Sequence, residues 1–202
     1  MESGSAGVDP VAEIVEARRE ARGRQDPHVD VCILATTRPD GTPDARAVSL
    51  RDIDDRGFGL LLSALSPKWR QLSAGGCSLL LLWTTVRRQY RVYGRLAPME
   101  PQRLQLYWDR KTLGSRLLEH YYGEHRPQSA PLASRAQLME GIDALACRYP
   151  DTAALGPPPA LQGVYLVPAE IDVWHGSPDD RLHDRRLFTR HATGWTFTTV
   201  VP

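Results

Sequence analysis

Apolar and polar positions recur along this chain with two different periods, and the changes of period mark out its elements. Val11, Ile14 and Val15 fall at helical spacing behind Asp9-Pro10. An aspartate there accepts from the free N–H groups of a first turn, and a proline already has the φ that turn needs. The spacing predicts a helix from Pro10 that fades by Pro27; residues 1–8, small and polar, are expected to be disordered. From Val31 the pattern becomes one of short β-branched and apolar runs: Val31 to Thr36, Ala45 to Arg51, Phe58 to Ser63, Ser78 to Trp83 and Gln89 to Leu96. Arg38-Pro39-Asp40-Gly41-Thr42-Pro43 is a dense turn signal, so the first two runs should form a hairpin; Asp54-Asp55-Arg56-Gly57 makes another turn. Pro67 opens a short helix that ends near Gly75-Gly76. Five short strands so closely spaced predict an antiparallel barrel or sandwich, not strand–helix–strand units.

The middle third has helical spacing. Pro101 opens one helix to about Arg110, or through Leu118 if Gly114 is accommodated, and a second spans Ala133 to Cys147. Tyr149 to Ala160, with four prolines and a glycine, reads as a loop. Strands return at Gly163 to Val167, Ile171 to His175, Arg185 to Arg190 and Trp195 to Val200. The expected architecture is mainly β with helices (α+β), an antiparallel barrel closed after a helical excursion, as one domain over residues 9–202.

Composition narrows the function. Of 202 residues 42% are hydrophobic, enough for a sizeable core, and 25 basic against 24 acidic side chains leave a net charge of +1. Such balance gives no global reason to expect nucleic acid or an acidic membrane as partner. Cys32, Cys77 and Cys147 are odd in number, lack a C-x-x-C pair and sit beside apolar residues, so reduced core thiols are expected. Met-Glu-Ser-Gly-Ser-Ala-Gly has neither the basic start nor the apolar run of a signal peptide, and Leu79 to Trp83 is too short to span a bilayer. A cytoplasmic location is the expectation.

Four clusters could carry chemistry. In Trp174-His175-Gly176-Ser177-Pro178-Asp179-Asp180-Arg181-Leu182-His183-Asp184-Arg185, an extended chain would put Arg181, His183 and Arg185 on one face. Two guanidiniums around an imidazole suit a polyanionic or electron-accepting ligand, although a solvated edge strand has the same pattern. Arg46-Ala47-Val48-Ser49-Leu50-Arg51 would send its two arginines to opposite faces of a regular strand. Ser66-Pro67-Lys68 at a helix start could hold an anion, although a lysine at a helix start is also common on ordinary surfaces. Tyr107, Lys111 and Ser115 would share a stripe on a continuous helix and could hold a phosphate; by spacing alone an ordinary amphipathic helix is the better explanation. His120 and His125 are off the spacing that brings two imidazoles to one metal, so no metal site is expected. No dinucleotide fingerprint, P-loop or nucleophile elbow is present.

These clusters, in this order, resemble the pyridoxine/pyridoxamine 5′-phosphate oxidase family from about Val31 to Pro202. The most specific part is Trp174 to Arg185, which is similar to the family's W-x-x-x-x-x-R-L-H-D-R signature without a gap. The resemblance implies an FMN-binding split barrel, a homodimer with FMN at its interface. It implies Arg46 and Lys68 on the FMN phosphate, Ala47, Val48, Ser49, Leu50 and Arg51 along the flavin, and contacts from Gln89, Trp174 and Arg185. Gln128-Ser129 would be a pair supplied by the partner subunit. Arg51, Tyr107, Lys111 and Ser115 would take a substrate phosphate, while Arg181 and His183, the implied catalytic residues, would close over the ring. The implied chemistry is hydride transfer to flavin N5, with O2 reoxidising the flavin to give H2O2.

The chain also departs from the family. Arg51 stands for a lysine, Lys111 for an arginine, Pro67 for an arginine, and Leu61-Leu62 for a Tyr-Thr pair, leaving only backbone groups there. Ala17-Arg18-Arg19-Glu20 lies inside the first predicted helix, and no N-terminal lid motif is evident. The main reading is therefore oxidation of pyridoxine or pyridoxamine 5′-phosphate to pyridoxal 5′-phosphate. The alternatives are a related oxidase of another ring in phenazine-type secondary metabolism, or a flavin-binding protein without catalysis. Split barrels that use deazaflavin or haem are disfavoured by the Arg-Leu-His-Asp-Arg string.

Overall fold

The structure is a computed structural model that describes residues 8–150 and 155–202. The disorder expected over residues 1–8 lies, Val8 apart, outside the described residues, as does part of the loop expected over Tyr149 to Ala160. The fold is mixed, with a curled antiparallel sheet and helices.

Helix α1 (Pro10–Gly23) begins as its sequence requires, with Asp9 Oδ1 accepting from the Val11 N–H at 2.9 Å. It buries Ile14, Ala17 and Ala21. The strands are β1 (Val31–Thr37), β2 (Pro43–Ser49), β3 (Ile53–Asp54), β4 (Gly57–Ser63), β5 (Cys77–Trp83), β6 (Arg88–Pro98), β7 (Leu161–His175), β8 (Asp184–His191) and β9 (Gly194–Thr199). They run in the order β2-β1-β5-β6-β7-β4-β3, with β8 paired to β7 and β9 to β8. Strand β2 is an edge, and the β1–β2 register sets Ile33 opposite Ala47 and Leu34 opposite Arg46. Period-2 alternation then buries Leu34, Leu79, Leu81 and Val92 on one face. It leaves Ala45, Ala47, Leu82 and Tyr93 exposed on the other.

The described residues form two compact units, one running to Leu60 with Gly75–Ala97 and Tyr165–Pro202, the other Leu61–Ala74 with Pro98–Val164. The second unit holds α2 (Pro67–Ser73), α3 (Pro101–Asp109), α4 (Leu113–Glu124) and α5 (Arg135–Arg148). Its core is Trp108, Leu117, Tyr121, Leu145, Leu155 and Leu161. The Trp108 indole N–H donates to the Leu155 carbonyl at 2.6 Å, so the largest of these side chains is buried without an unmet donor.

Four expectations are corrected. The two strands expected either side of Pro168 are one, β7; a proline forfeits a single ladder bond and its φ suits extended chain. The helix opened by Pro101 ends at Asp109, in line with the expected end near Arg110; what fails is its extension through Leu118, because α4 starts afresh after Thr112, whose Oγ1 accepts from the Ser115 N–H at 3.4 Å. Tyr107, Lys111 and Ser115 therefore do not share one helix. Arg181 has a φ of +60° and β8 begins only at Asp184, so the extended alignment of Arg181, His183 and Arg185 is absent. Finally, Cys32 is a core thiol, pushed up to about 12 by burial, but Cys77 is only half-buried and Cys147 is exposed.

Strand β7 also explains one glycine. A Cβ on Gly94 of β6 would collide with the backbone carbonyl of Val167. Because a backbone oxygen cannot swing aside as a side chain can, Gly94→Ala is expected to cost about 2 kcal/mol. Urea denaturation of the variant beside the wild type checks this.

Candidate active site

In the first unit, most of the implied residues sit on β2, on β6 and around the β7–β8 connection. Arg46 is fixed by acceptors on three sides: its Nη1 donates to the Leu34 carbonyl at 3.1 Å and to Thr36 Oγ1 at 2.6 Å, and its Nη2 lies 2.7 Å from Asp44 Oδ2. Along β2, Ala47 and Ser49 are exposed, Val48 is half-buried and Leu50, just beyond the strand, is buried. Arg51 lies outside β2, so strand alternation does not govern it; its N–H donates to the Gly59 carbonyl at 2.9 Å. Gln89 is half-buried on β6, opposite Leu82.

Trp174 pairs with Arg185 across β7 and β8, and the His183 ring packs on the indole at 4.6 Å between centroids. The Ser177 N–H donates to His183 Nδ1 at 3.0 Å, which places the proton of the neutral imidazole on Nε2. Asp180 holds the loop between, accepting from Ser177 Oγ at 2.5 Å and from the Leu182 N–H at 2.9 Å. Arg181 is exposed at its tip in the left-handed region.

Sequence reasoning missed the group that fixes Arg185. Asp172, 6% exposed, accepts from Arg185 Nε at 3.0 Å and Nη2 at 2.9 Å, and its Oδ2 also accepts from Arg91. Burial pushes the Asp172 carboxyl up, but hydrogen bonds from Arg185 and Arg91 outweigh it and hold the group below the usual carboxylate range. The available signal was an aspartate inside the apolar run Ile171-Asp172-Val173.

In the second unit, Leu61 packs against the core and Leu62 is buried, so their side chains offer no polar group. Lys68 and Gln128 are brought together, with Lys68 Nζ donating to Gln128 Oε1 at 2.5 Å. Ser129 follows, exposed, with a φ of +72°. Tyr107 is buried on α3 beneath the Arg103 guanidinium, 5.8 Å from its ring centroid. Despite the helix break, Lys111 Nζ lies 3.3 Å from Ser115 Oγ. It also lies 2.8 Å from Glu119 Oε1, and their side chains are only 9% and 16% exposed. Glu119 was not anticipated; it sits eight residues beyond Lys111 in a helix whose start the sequence did not reveal. Among the described residues, no group of three or more His, Cys, Asp or Glu could hold a metal ion, and no helix is long and apolar enough to cross a membrane.

A flavin fits what the first unit offers. Edge strand β2 presents backbone polar groups flanked by the small side chains of Ala45, Ala47 and Ser49, so a flat ring can approach closely. Arg46 adds a guanidinium that is already oriented.

The pyridoxamine 5′-phosphate oxidase family model matches residues 24–140, more than half of the chain. The pyridoxine/pyridoxamine 5′-phosphate oxidase of Burkholderia orbicola (strain MC0-3) is 35% identical over 206 aligned residues, spanning 100% of this chain and 93% of the relative. That of Burkholderia mallei (strain SAVP1) is 35% identical over 188, with 91% and 85% covered. Among solved structures, PhzG from Burkholderia lata 383, in complex with tetrahydrophenazine-1-carboxylic acid, superposes with a TM-score of 0.84 at 27% identity, covering 98% of this chain and 95% of that one. A pyridoxamine 5′-phosphate oxidase-related, FMN binding protein from Nostoc punctiforme PCC 73102 gives 0.72 at 17% identity, covering 98% and 100%, and supports the fold. Family and fold together make this an FMN-dependent oxidoreductase built on a curled antiparallel sheet of the split-barrel kind. The chain belongs to the pyridoxine/pyridoxamine 5′-phosphate oxidase family, and that membership implies FMN as its cofactor.

Proposed function

We propose that the protein is an FMN-dependent oxidase of a reduced ring that carries no phosphate, of the phenazine-precursor kind, working as a homodimer. The observation that carries this reading is the Lys111–Glu119 ion pair at 2.8 Å. Lys111 is the cation that the family pattern assigns to a substrate phosphate, and here a neighbouring carboxylate already neutralises it. A phosphate dianion would meet Glu119 as well as Lys111, at a place where water screens little. An uncharged or singly charged ring substituent meets no such penalty. The similarity to PhzG, a protein solved with a tetrahydrophenazine carboxylic acid, agrees with this. The names of the curated relatives and the presence of Tyr107 and Ser115 favour the other reading, oxidation of pyridoxine or pyridoxamine 5′-phosphate.

FMN supplies a hydride acceptor that O2 regenerates, with H2O2 as product. The chain's own part is to bind and orient. Arg46, Lys68, Gln89, Gln128, Ser129, Trp174 and Arg185 are assigned to the cofactor, together with the backbone from Ala47 to Arg51 and of Leu61-Leu62. Arg181 and His183 are assigned to the ring. With Nδ1 of His183 held by the Ser177 N–H, Nε2 is the atom that exchanges a proton with the substrate. The apolar exposed side chains of Leu82 and Tyr93 beside Ala45 and Ala47 suit contact with a second copy.

The test is anaerobic mixing of FMN-loaded protein with pyridoxine 5′-phosphate, pyridoxamine 5′-phosphate and a reduced phenazine carboxylic acid, following flavin absorbance. Bleaching by the tricyclic acid alone is expected. Rapid bleaching by either phosphate ester, with aldehyde formed, would restore the vitamin-salvage reading.

A further inference from the structure

Arg18 is a charged residue on the buried side of α1. It lies among Ile14, Ala17 and Ala21 and is 8% exposed. An arginine is rarely stable in such a place unless its donors are engaged, and here four hydrogen bonds engage four of its five N–H groups. Nε donates to the Val29 carbonyl at 3.1 Å and Nη1 to the Arg51 carbonyl at 2.7 Å. Nη2 donates to the Leu50 carbonyl at 3.1 Å and to Asp30 Oδ1 at 2.6 Å. Two of these acceptors are successive carbonyls, 32 and 33 residues further along the chain, where the backbone leaves β2. If α1 needed only to be buried, an apolar residue would serve as well or better. Gripping two neighbouring carbonyls at once needs a planar fork.

The same helix is tied at a second place. Glu13 Oε1 lies 2.8 Å from His175 Nε2, and Glu13 Oε2 is 3.1 Å from Arg186 Nη2. His175 and Arg186 are the chain neighbours of Trp174 and Arg185. His175 also faces Asp184 of β8 at 3.8 Å and the Tyr90 ring of β6. So one helix grips both the β2 exit, where Arg51 sits, and the β7–β8 pair that carries Trp174 and Arg185.

We propose that α1 is a strut that sets the spacing between these two segments, with Arg18 and Glu13 as positioning residues for FMN binding. The inference rests on the roles assigned above to Arg51, Trp174 and Arg185. Its test is FMN affinity without substrate, so a wrong substrate class would leave it intact.

The experiment measures the FMN dissociation constant by quenching of flavin fluorescence for wild type, Arg18→Gln, Arg18→Lys and Glu13→Gln. A control, Ile14→Val or Ile14→Ala, is chosen to match the loss of Tm in Arg18→Gln; Ile14 is fully buried on α1 and makes no charged tie. Losing hydrogen bonds from a charged group should weaken FMN binding about tenfold in Arg18→Gln, with partial recovery in Arg18→Lys. Glu13→Gln should weaken it less, and the Ile14 control should bind as the wild type does. The proposal is overturned if both charged-residue variants keep wild-type affinity, or if the control weakens binding as much as Arg18→Gln, since α1 would then contribute only its packing. Should Arg18→Gln not fold, Glu13→Gln against the control decides the same question.

Discussion

Asp172→Ala is expected to destabilise the protein by about 2–3 kcal/mol and to release FMN, because it leaves two guanidiniums side by side without their shared anion. The carboxylate is 7% exposed in its side chain and is the common acceptor for Arg185 and Arg91, which retain 28% and 39% exposure. Their access to water places the cost towards the lower end for a broken buried pair. Asp172→Asn, which keeps the shape and one acceptor oxygen, should lose less. The same group gives stability a pH dependence of definite sign. Hydrogen bonds from Arg185 and Arg91 hold the folded carboxyl below its ordinary range despite burial. Its contribution is therefore complete above the ordinary carboxylate pKa and is lost as the pH falls through the lower, folded one. Urea denaturation at neutral pH and at a pH of about 3 should show the wild type losing more stability on acidification than Asp172→Asn. Equal losses would mean that the carboxylate is not the anchor of Arg185.

What the sequence made legible, and what it hid, divides along a physical line. Local signals read well. Asp9-Pro10 starts α1, and Pro39-Asp40-Gly41 turns β1 into β2, because a cap or a tight turn depends on a few adjacent residues. The Trp174 to Arg185 string pointed to the family before any geometry was considered. Register and cross-strand pairing were not legible, because spacing along one strand does not say which residue of another lies opposite. Asp172 reaches Arg91 over 81 residues, and only the sheet order makes that contact. Break points were hidden for a related reason. Thr112 can cap a new helix or sit within an old one, and periodicity does not choose between them. Arg181 shows the third kind of gap, since a non-glycine residue in the left-handed region is chosen by its surroundings, here the Asp180 turn.

The sharpest change of function is expected from Glu119→Gln. In the wild type Lys111 has its charge cancelled by Glu119, and its second neighbour is the Ser115 hydroxyl. The glutamine keeps the size and an acceptor for Lys111 but removes the negative charge, so the local sum rises from zero to plus one. Two charges about 4 Å apart at an effective dielectric near 20 interact by about 4 kcal/mol. Discounting that for partial solvent access leaves a gain of about 30- to 100-fold in affinity for a phosphorylated ligand. Pyridoxine 5′-phosphate should accordingly bind to Glu119→Gln and bleach the flavin where the wild type responds weakly, while the reaction with a reduced phenazine acid changes little. Lys111→Gln added to Glu119→Gln should abolish the gain, which separates a true phosphate contact from a general loosening of α4. If pyridoxine 5′-phosphate behaves alike towards wild type and Glu119→Gln, then Lys111 does not meet the anionic end of the substrate. The ion pair would then be a tie between the start of α4 and its second turn, and the choice of ring would have to be made by Arg181, His183 and the residues about Trp174.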